Sequence, residues 1–130
     1  MLLSVASAET IPTLIHPDTV PASSWSAKWI GAKPAPNEKA KQQNLWSACR
    51  KEFSLAQKPK TAVARIAVDS KYWLWVNGAL VVREGALKRG PTPTDTFFDE
   101  VDLAPHLKEG KNTIAILVWY FGKHGFSHKS

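Results

Sequence analysis

The 130-residue chain has one cysteine, Cys49, so no disulfide bond can form within it. It also lacks an apolar run of the roughly 18 residues that a membrane-spanning helix needs, which argues against a membrane partner. The 17 lysine and arginine residues give a formal net charge of +6, but acidic residues interrupt them and no block of like charge forms. Nucleic-acid-binding domains usually gather basic residues on one element, so this spread argues against a nucleic-acid partner.

What the chain has in excess is tryptophan. Six tryptophans occur in a composition that is otherwise ordinary for a single globular domain, with 44% hydrophobic and 22% charged residues. Tryptophan buries a large apolar area and carries an N–H group that needs a partner, which suits cores, interfaces and sugar-stacking surfaces. Cys49 lies in a strand-like run, and we interpret it as a small buried apolar side chain rather than a nucleophile.

The N-terminal third of the chain predicts little regular structure. Residues 1–8 resemble the end of a secretory signal, with Ala6-Ser7-Ala8 as a small-residue cleavage site but without a positively charged start. This segment predicts a secreted or periplasmic protein. Residues 9–44 contain five of the nine prolines and predict an irregular arm, and a β-sandwich domain is expected over 45–130.

From residue 45 onward the apolar pattern has a period of two, which is typical of β-strands. Strands are predicted over 49–55 and 61–69, and the dipeptide Asn77-Gly78 joins two apolar runs in the manner of a type I′ hairpin. Counting from that turn pairs Trp75 with Leu80 and Trp73 with Val82. One hairpin face would then carry Trp73, Trp75, Leu80 and Val82, and the other would carry Tyr72, Leu74, Val76, Ala79 and Val81.

Two further strands complete the predicted fold. Residues 97–101 form one of them, and residues 112–121, apolar on both faces, predict a central strand. Between them, Asp102 is the predicted N-cap of one helical turn that ends at a left-handed Gly110. Five or six strands without a long helix predict an all-β protein, an antiparallel β-sandwich or jelly roll of the galactose-binding type. We expect this sandwich to be truncated at the C-terminus, since the chain stops directly after a central strand.

The hairpin carries a resemblance to a known family. Residues 69–78, Asp-Ser-Lys-Tyr-Trp-Leu-Trp-Val-Asn-Gly, closely resemble the N-terminal domain of bacterial α-L-rhamnosidases, glycoside hydrolase family 78. Segments 46–53, 97–103 and 107–115 are also similar to that family, so the resemblance covers roughly residues 25–130. The order of strand, Asn-Gly turn, strand, capped turn and Gly-x-Asn also resembles jelly-roll sugar-binding domains of β-galactosidase-like enzymes.

The resemblance implies a non-catalytic accessory domain of a secreted enzyme that removes terminal α-L-rhamnose with inversion. The catalytic carboxylates of that family lie in a separate α-helical barrel, so the implied partner is the barrel of the same polypeptide. A rhamnose-containing glycan is the implied ligand, and no catalytic residue is carried over to this chain. A stand-alone carbohydrate- or protein-binding β-sandwich module is the alternative.

Candidate substrate-binding residues come from the aromatic set and the C-terminal histidines. Trp73 and Trp75 share one face and could stack on sugar C–H groups, although packing in a core remains the alternative. Three further candidates lie near the end of the chain: Trp119, His124 and His128. The acidic residues Asp95, Asp99, Glu100 and Asp102 are interpreted as structural. They lack the spacing of a calcium loop, and His124 and His128 have zinc-site spacing only in a helix, against which Gly125 argues, so no metal or cofactor is predicted.

Overall fold

The computed structural model of the chain describes residues 13–15, 27–31, 43–85 and 98–122. Within these ranges the structure is almost entirely β, as the period of two predicts, with a single short 3-10 helix at Ala104–His106. The strands are β1 (Thr13–Ile15), β2 (Leu45–Leu55), β3 (Val63–Ile66), β4 (Lys71–Val76), β5 (Ala79–Gly85), β6 (Phe98–Asp102) and β7 (Gly110–Tyr120).

The strands form two antiparallel sheets. One has three strands in the order β1-β6-β3, and the other has four strands in the order β2-β7-β4-β5. A single cluster of buried side chains joins the two sheets, with Leu74 and Val82 from the four-stranded sheet and Val101 from the other. The predicted all-β antiparallel sandwich is therefore confirmed, and β7 is a central strand as predicted. The jelly-roll connectivity remains a prediction.

The hairpin turn is where the sequence places it. Asn77 and Gly78 both have positive φ, 52° and 86°, as a type I′ turn requires. The side chain of Asn77 donates from Nδ2 to the carbonyl of His106 at 2.9 Å and to Asn112 Oδ1 at 2.8 Å. The fully buried Asn112 in turn donates to the carbonyl groups of Lys108 and Gly110. These bonds attach the hairpin to the start of β7.

The register of the hairpin differs from the prediction beyond the first two pairs. Trp75 does lie opposite Leu80, but Val82 lies opposite Leu74 rather than Trp73, and Gly85 lies opposite Tyr72. Strand β5 therefore contains two extra residues relative to β4, which is the signature of β-bulges. The first bulge turns both Val81 and Val82 into the core, although simple alternation would separate them.

Three further predictions need correction. The arm over 9–44 is not wholly irregular, because Thr13–Ile15 forms β1 and pairs with β6. Cys49 is exposed rather than buried, because it lies on the edge strand β2, where the next residues, Arg50 and Lys51, are exposed as well. The N-cap of the short helix is Leu103 rather than Asp102.

Asp102 and Gly110 agree with the sequence analysis in part. Asp102 Oδ1 accepts hydrogen bonds from the backbone N–H groups of Ala62 and Ala104, each at 3.0 Å. The hydrogen bond from Ala104, followed by that from Ala62, lowers the pKa of Asp102. The bond from Ala62 also connects the residue before β3 to the end of β6. Gly110 has a φ of 79°, which is the left-handed conformation predicted for it, but the helix ends earlier, at His106, and Gly110 begins β7.

Candidate functional site

The four-stranded sheet has two apolar faces, and the tryptophans lie on the one that faces away from the core. Tyr72, Leu74 and Val76 point inward and are almost completely buried. Their neighbours Trp73 and Trp75 alternate with them along β4, are only half-buried, and lie outside the buried core. The predicted candidates Trp73 and Trp75 are therefore partly accessible on the outer face of the sheet.

Four rings on this outer face contact one another, and we call them the aromatic cluster: Trp46, Trp73, Trp119 and Phe121. The ring centroid of Trp46 lies 5.4 Å from that of Trp73 and 6.3 Å from that of Trp119. The planes in each of these pairs differ by 33°, so the Trp46 ring is closer to parallel than to perpendicular to each of the other two indole rings. The cluster thus joins three adjacent strands into one aromatic surface, with Trp75 further along the same face.

Trp46 is the member that the sequence analysis did not include among the candidates. The predicted strand starts at residue 49, whereas β2 starts at Leu45 and puts Trp46 directly opposite Trp119 on β7. Trp46 is 57% exposed, which is high for so large an apolar side chain. Continuing the alternation of Arg50 and Glu52 backward along the chain would have placed Trp46 on the same face.

The end of β7 at Trp119 and the following residue Phe121 are held by neighbouring segments on both sides. Ser70 is buried and donates its backbone N–H to the carbonyl of Trp119 at 2.8 Å, while its Oγ accepts from the N–H of Phe121 at 3.1 Å. On the other side, the N–H of Asn44 donates to the carbonyl of Phe121 at 3.1 Å. These bonds fix the backbone beneath the two rings, so the cluster is a preformed surface.

A charged pair borders the aromatic cluster. Lys71 lies opposite Trp119 in the β4–β7 register, and its Nζ is 6.0 Å from the centroid of the Trp119 ring. The same Nζ is 3.3 Å from Oε2 of Glu84 on β5. A cation at about this distance from an indole face is attracted by the ring quadrupole, which helps to hold Lys71 against the cluster.

The outer face changes from aromatic to ionic along β2. Glu52 forms ion pairs with Arg50 and with Lys111 Nζ, the latter at 2.9 Å. The hydrogen bond and charge of Lys111, followed by the charge of Arg50, lower the pKa of Glu52. This end of the face resembles an ordinary solvated surface, which leaves the aromatic end as the distinctive feature.

The acidic residues around β6 have structural contacts. Glu100 pairs with Arg65 at 3.4 Å, Asp102 accepts the two backbone hydrogen bonds given above, and Asp99 is buried. Burial, and then the charge of Asp99, raise the pKa of Tyr72 well above its ordinary value. Three residues of the sequence analysis, Asp95, His124 and His128, lie outside the described residues.

Comparison with known proteins adds no relative. No protein-family model, no curated protein and no solved structure matches the chain. In the part of the chain that the structure describes, no group of three or more histidine, cysteine, aspartate or glutamate side chains is placed to hold a metal ion. The same part contains no helix with the length and apolar character needed to cross a membrane. The interpretation of the site therefore depends on the aromatic cluster and its surroundings.

Proposed function

We propose that this chain is a non-catalytic, carbohydrate-binding β-sandwich that serves as an accessory domain of a secreted α-L-rhamnosidase-type glycoside hydrolase. The observation that carries the proposal is the aromatic cluster, in which four rings lie on the outer face of a sheet whose inner face already forms the core. Partly exposed rings on a rigid sheet suit stacking on the C–H faces of a sugar.

The resemblance of residues 69–78 to the N-terminal domain of α-L-rhamnosidases supports the enzyme context. In that context the catalytic barrel of the same polypeptide is the partner, and the sandwich supports the barrel and helps to bring the glycan to it. Trp73 belongs both to the resembling segment and to the aromatic cluster, so the two arguments meet at one residue.

Glycan binding by this chain is the direct test. We would titrate the 130-residue chain with oligosaccharides that end in α-L-rhamnose and follow the heat of binding. We expect Trp73→Ala and Trp119→Ala each to weaken binding at least about tenfold, because each removes a stacking ring, and tenfold corresponds to about 1.4 kcal/mol. Circular dichroism and melting would show that the variants keep their fold.

Trp29→Ala is the matched control, because Trp29 is 70% exposed and lies outside the aromatic cluster. It should leave the dissociation constant unchanged. Absence of binding by the wild-type chain, or equal affinity of the Trp73 and control variants, would refute the proposal. Unfolding of the Trp73 variant without any glycan binding by the wild type would instead identify Trp73 as part of the packing of this chain itself.

A further inference from the structure

We infer that the aromatic cluster selects a neutral sugar with two adjacent hydroxyl groups, and that Lys71 and Glu84 bind this diol. The inference rests on the proposed function and specifies the class of ligand. Its basis is the position of one ammonium group, Lys71 Nζ, which lies over the Trp119 ring at 6.0 Å from the centroid and 3.3 Å from the carboxylate of Glu84.

Lys71 and Glu84 are presented differently to solvent. The side chain of Lys71 is largely covered, at 24% exposure, whereas that of Glu84 is 51% exposed. The carboxylate is thus the more accessible partner, and Nζ is held between it and the indole ring. A ligand bound on the aromatic cluster next to Trp119 would meet Lys71 and, paired with it, Glu84.

The backbone of Glu84 gives an independent reason to regard it as more than a surface residue. Its φ is 57°, in the left-handed region that residues other than glycine and asparagine seldom adopt. This conformation occurs at the second bulge of β5. There Val82 pairs with Leu74 and Gly85 pairs with Tyr72, so β5 advances by three residues while β4 advances by two. Backbone strain of this kind tends to accumulate at binding sites, and here it accompanies the carboxylate that pairs with Lys71.

The chemistry of the pair fits a diol better than an acidic group. A hydroxyl both donates and accepts hydrogen bonds, whereas an ammonium only donates and a carboxylate only accepts. Two neighbouring hydroxyls can therefore satisfy Lys71 and Glu84 at once. An acidic sugar would bring a second negative charge beside Glu84, which already neutralises Lys71. The paired charges consequently favour a neutral ligand.

The experiment compares four ligands on the 130-residue chain. The probes are methyl α-L-rhamnoside, its 2-deoxy and 3-deoxy analogues, and a glucuronic acid glycoside. We expect Lys71→Met and Glu84→Gln each to weaken binding of the rhamnoside about tenfold, because each removes a charged hydrogen-bonding partner. A deoxy analogue that lacks one of the two bound hydroxyls should bind the wild type about tenfold more weakly than the rhamnoside does. For the Lys71→Met and Glu84→Gln variants, the same loss of a hydroxyl should change the affinity much less.

A second ion pair on the other sheet provides the matched control. Arg65 pairs with Glu100 at 3.4 Å, and its guanidinium lies 6.0 Å from the Phe98 ring, so its geometry closely parallels that of the Lys71 pair. Glu100→Gln should leave rhamnoside affinity unchanged.

Three results would overturn the inference. The first is equal affinity of the Lys71, Glu84 and control variants for the rhamnoside, while Trp119→Ala abolishes binding. This result would refute the role of the ion pair but would leave the proposed function supported. The second is tighter, strongly salt-dependent binding of the glucuronide, which would identify an anion site. The third is absence of binding of every sugar by the wild type, which would remove the proposed function as well.

Discussion

The two faces of the four-stranded sheet are built from the same strands, yet they differ in kind. The inner face carries aliphatic side chains and Tyr72, and its residues on β4 are at most 2% exposed. The outer face carries tryptophans that contact one another and remain partly accessible. Apolar character alone therefore does not identify a core, because here one apolar face is closed by the second sheet and the other is not.

The sharpest test of this difference uses two neighbouring residues of β4. Leu74→Ala should lower the free energy of unfolding by about 2–5 kcal/mol, because it opens a cavity between the sheets. Trp73→Ala should lower it by less than about 1.5 kcal/mol, because the ring is half-buried on the outer face. Urea denaturation of both variants measures the difference. Equal losses would mean that the outer face is covered as tightly as the inner one.

Gly85 tests how closely the inner face is packed. It is buried opposite Tyr72, and a Cβ atom at this position would lie far inside van der Waals contact with the Tyr72 ring. We expect Gly85→Ala to cost about 1–3 kcal/mol of stability, since the ring must move within a filled core. The measurement is again the urea midpoint.

Gly31→Ala is the control for that substitution, because nothing lies within 4 Å of a Cβ atom there. A Tyr72→Leu background should reduce the cost of Gly85→Ala, because a smaller side chain leaves room for the added methyl group. Strict additivity of the two substitutions would contradict the proposed contact.

The sequence predicts most of the fold because turns and alternation are local signals. Asn77-Gly78 has the residue types that a type I′ turn demands, and the alternation of residues 112–118 identifies β7. The bulges of β5 carry no such signal, so counting from the turn alone pairs Trp73 with Val82 incorrectly. Strand β1 was missed because three residues in a proline-rich segment show too little periodicity.

The candidate site is less predictable than the fold. Alternation separates Trp73 from Leu74, but it does not say which of two apolar faces the second sheet will cover. The contact between Trp46 and Trp73 joins β2 to β4 across the intervening β7, so it depends on strand order, which no local pattern reveals. The Lys71–Glu84 pair likewise depends on the unpredicted bulge.

A smaller effect on stability is expected in alkaline solution, and it concerns Tyr72 on the inner face of the four-stranded sheet. Its hydroxyl is buried, and burial together with the charge of Asp99 raises its pKa above the ordinary value of 10.0. The folded chain therefore keeps this proton above pH 10, whereas the unfolded chain releases it. The unfolded state then binds fewer protons, so stability should fall by about 1.4 kcal/mol for each pH unit above the ordinary pKa of tyrosine.

Urea midpoints measured between pH 9 and pH 11 would show this slope, and Tyr72→Phe should remove its contribution. Lysine side chains also lose protons in this range, so the quantity that matters is the difference in slope between the wild type and the variant. Tyr120, the other of the two tyrosines, is present in both proteins and cancels in that difference. Identical slopes would mean that Tyr72 ionises as easily in the folded chain as in the unfolded one, and that the inner face is open to water.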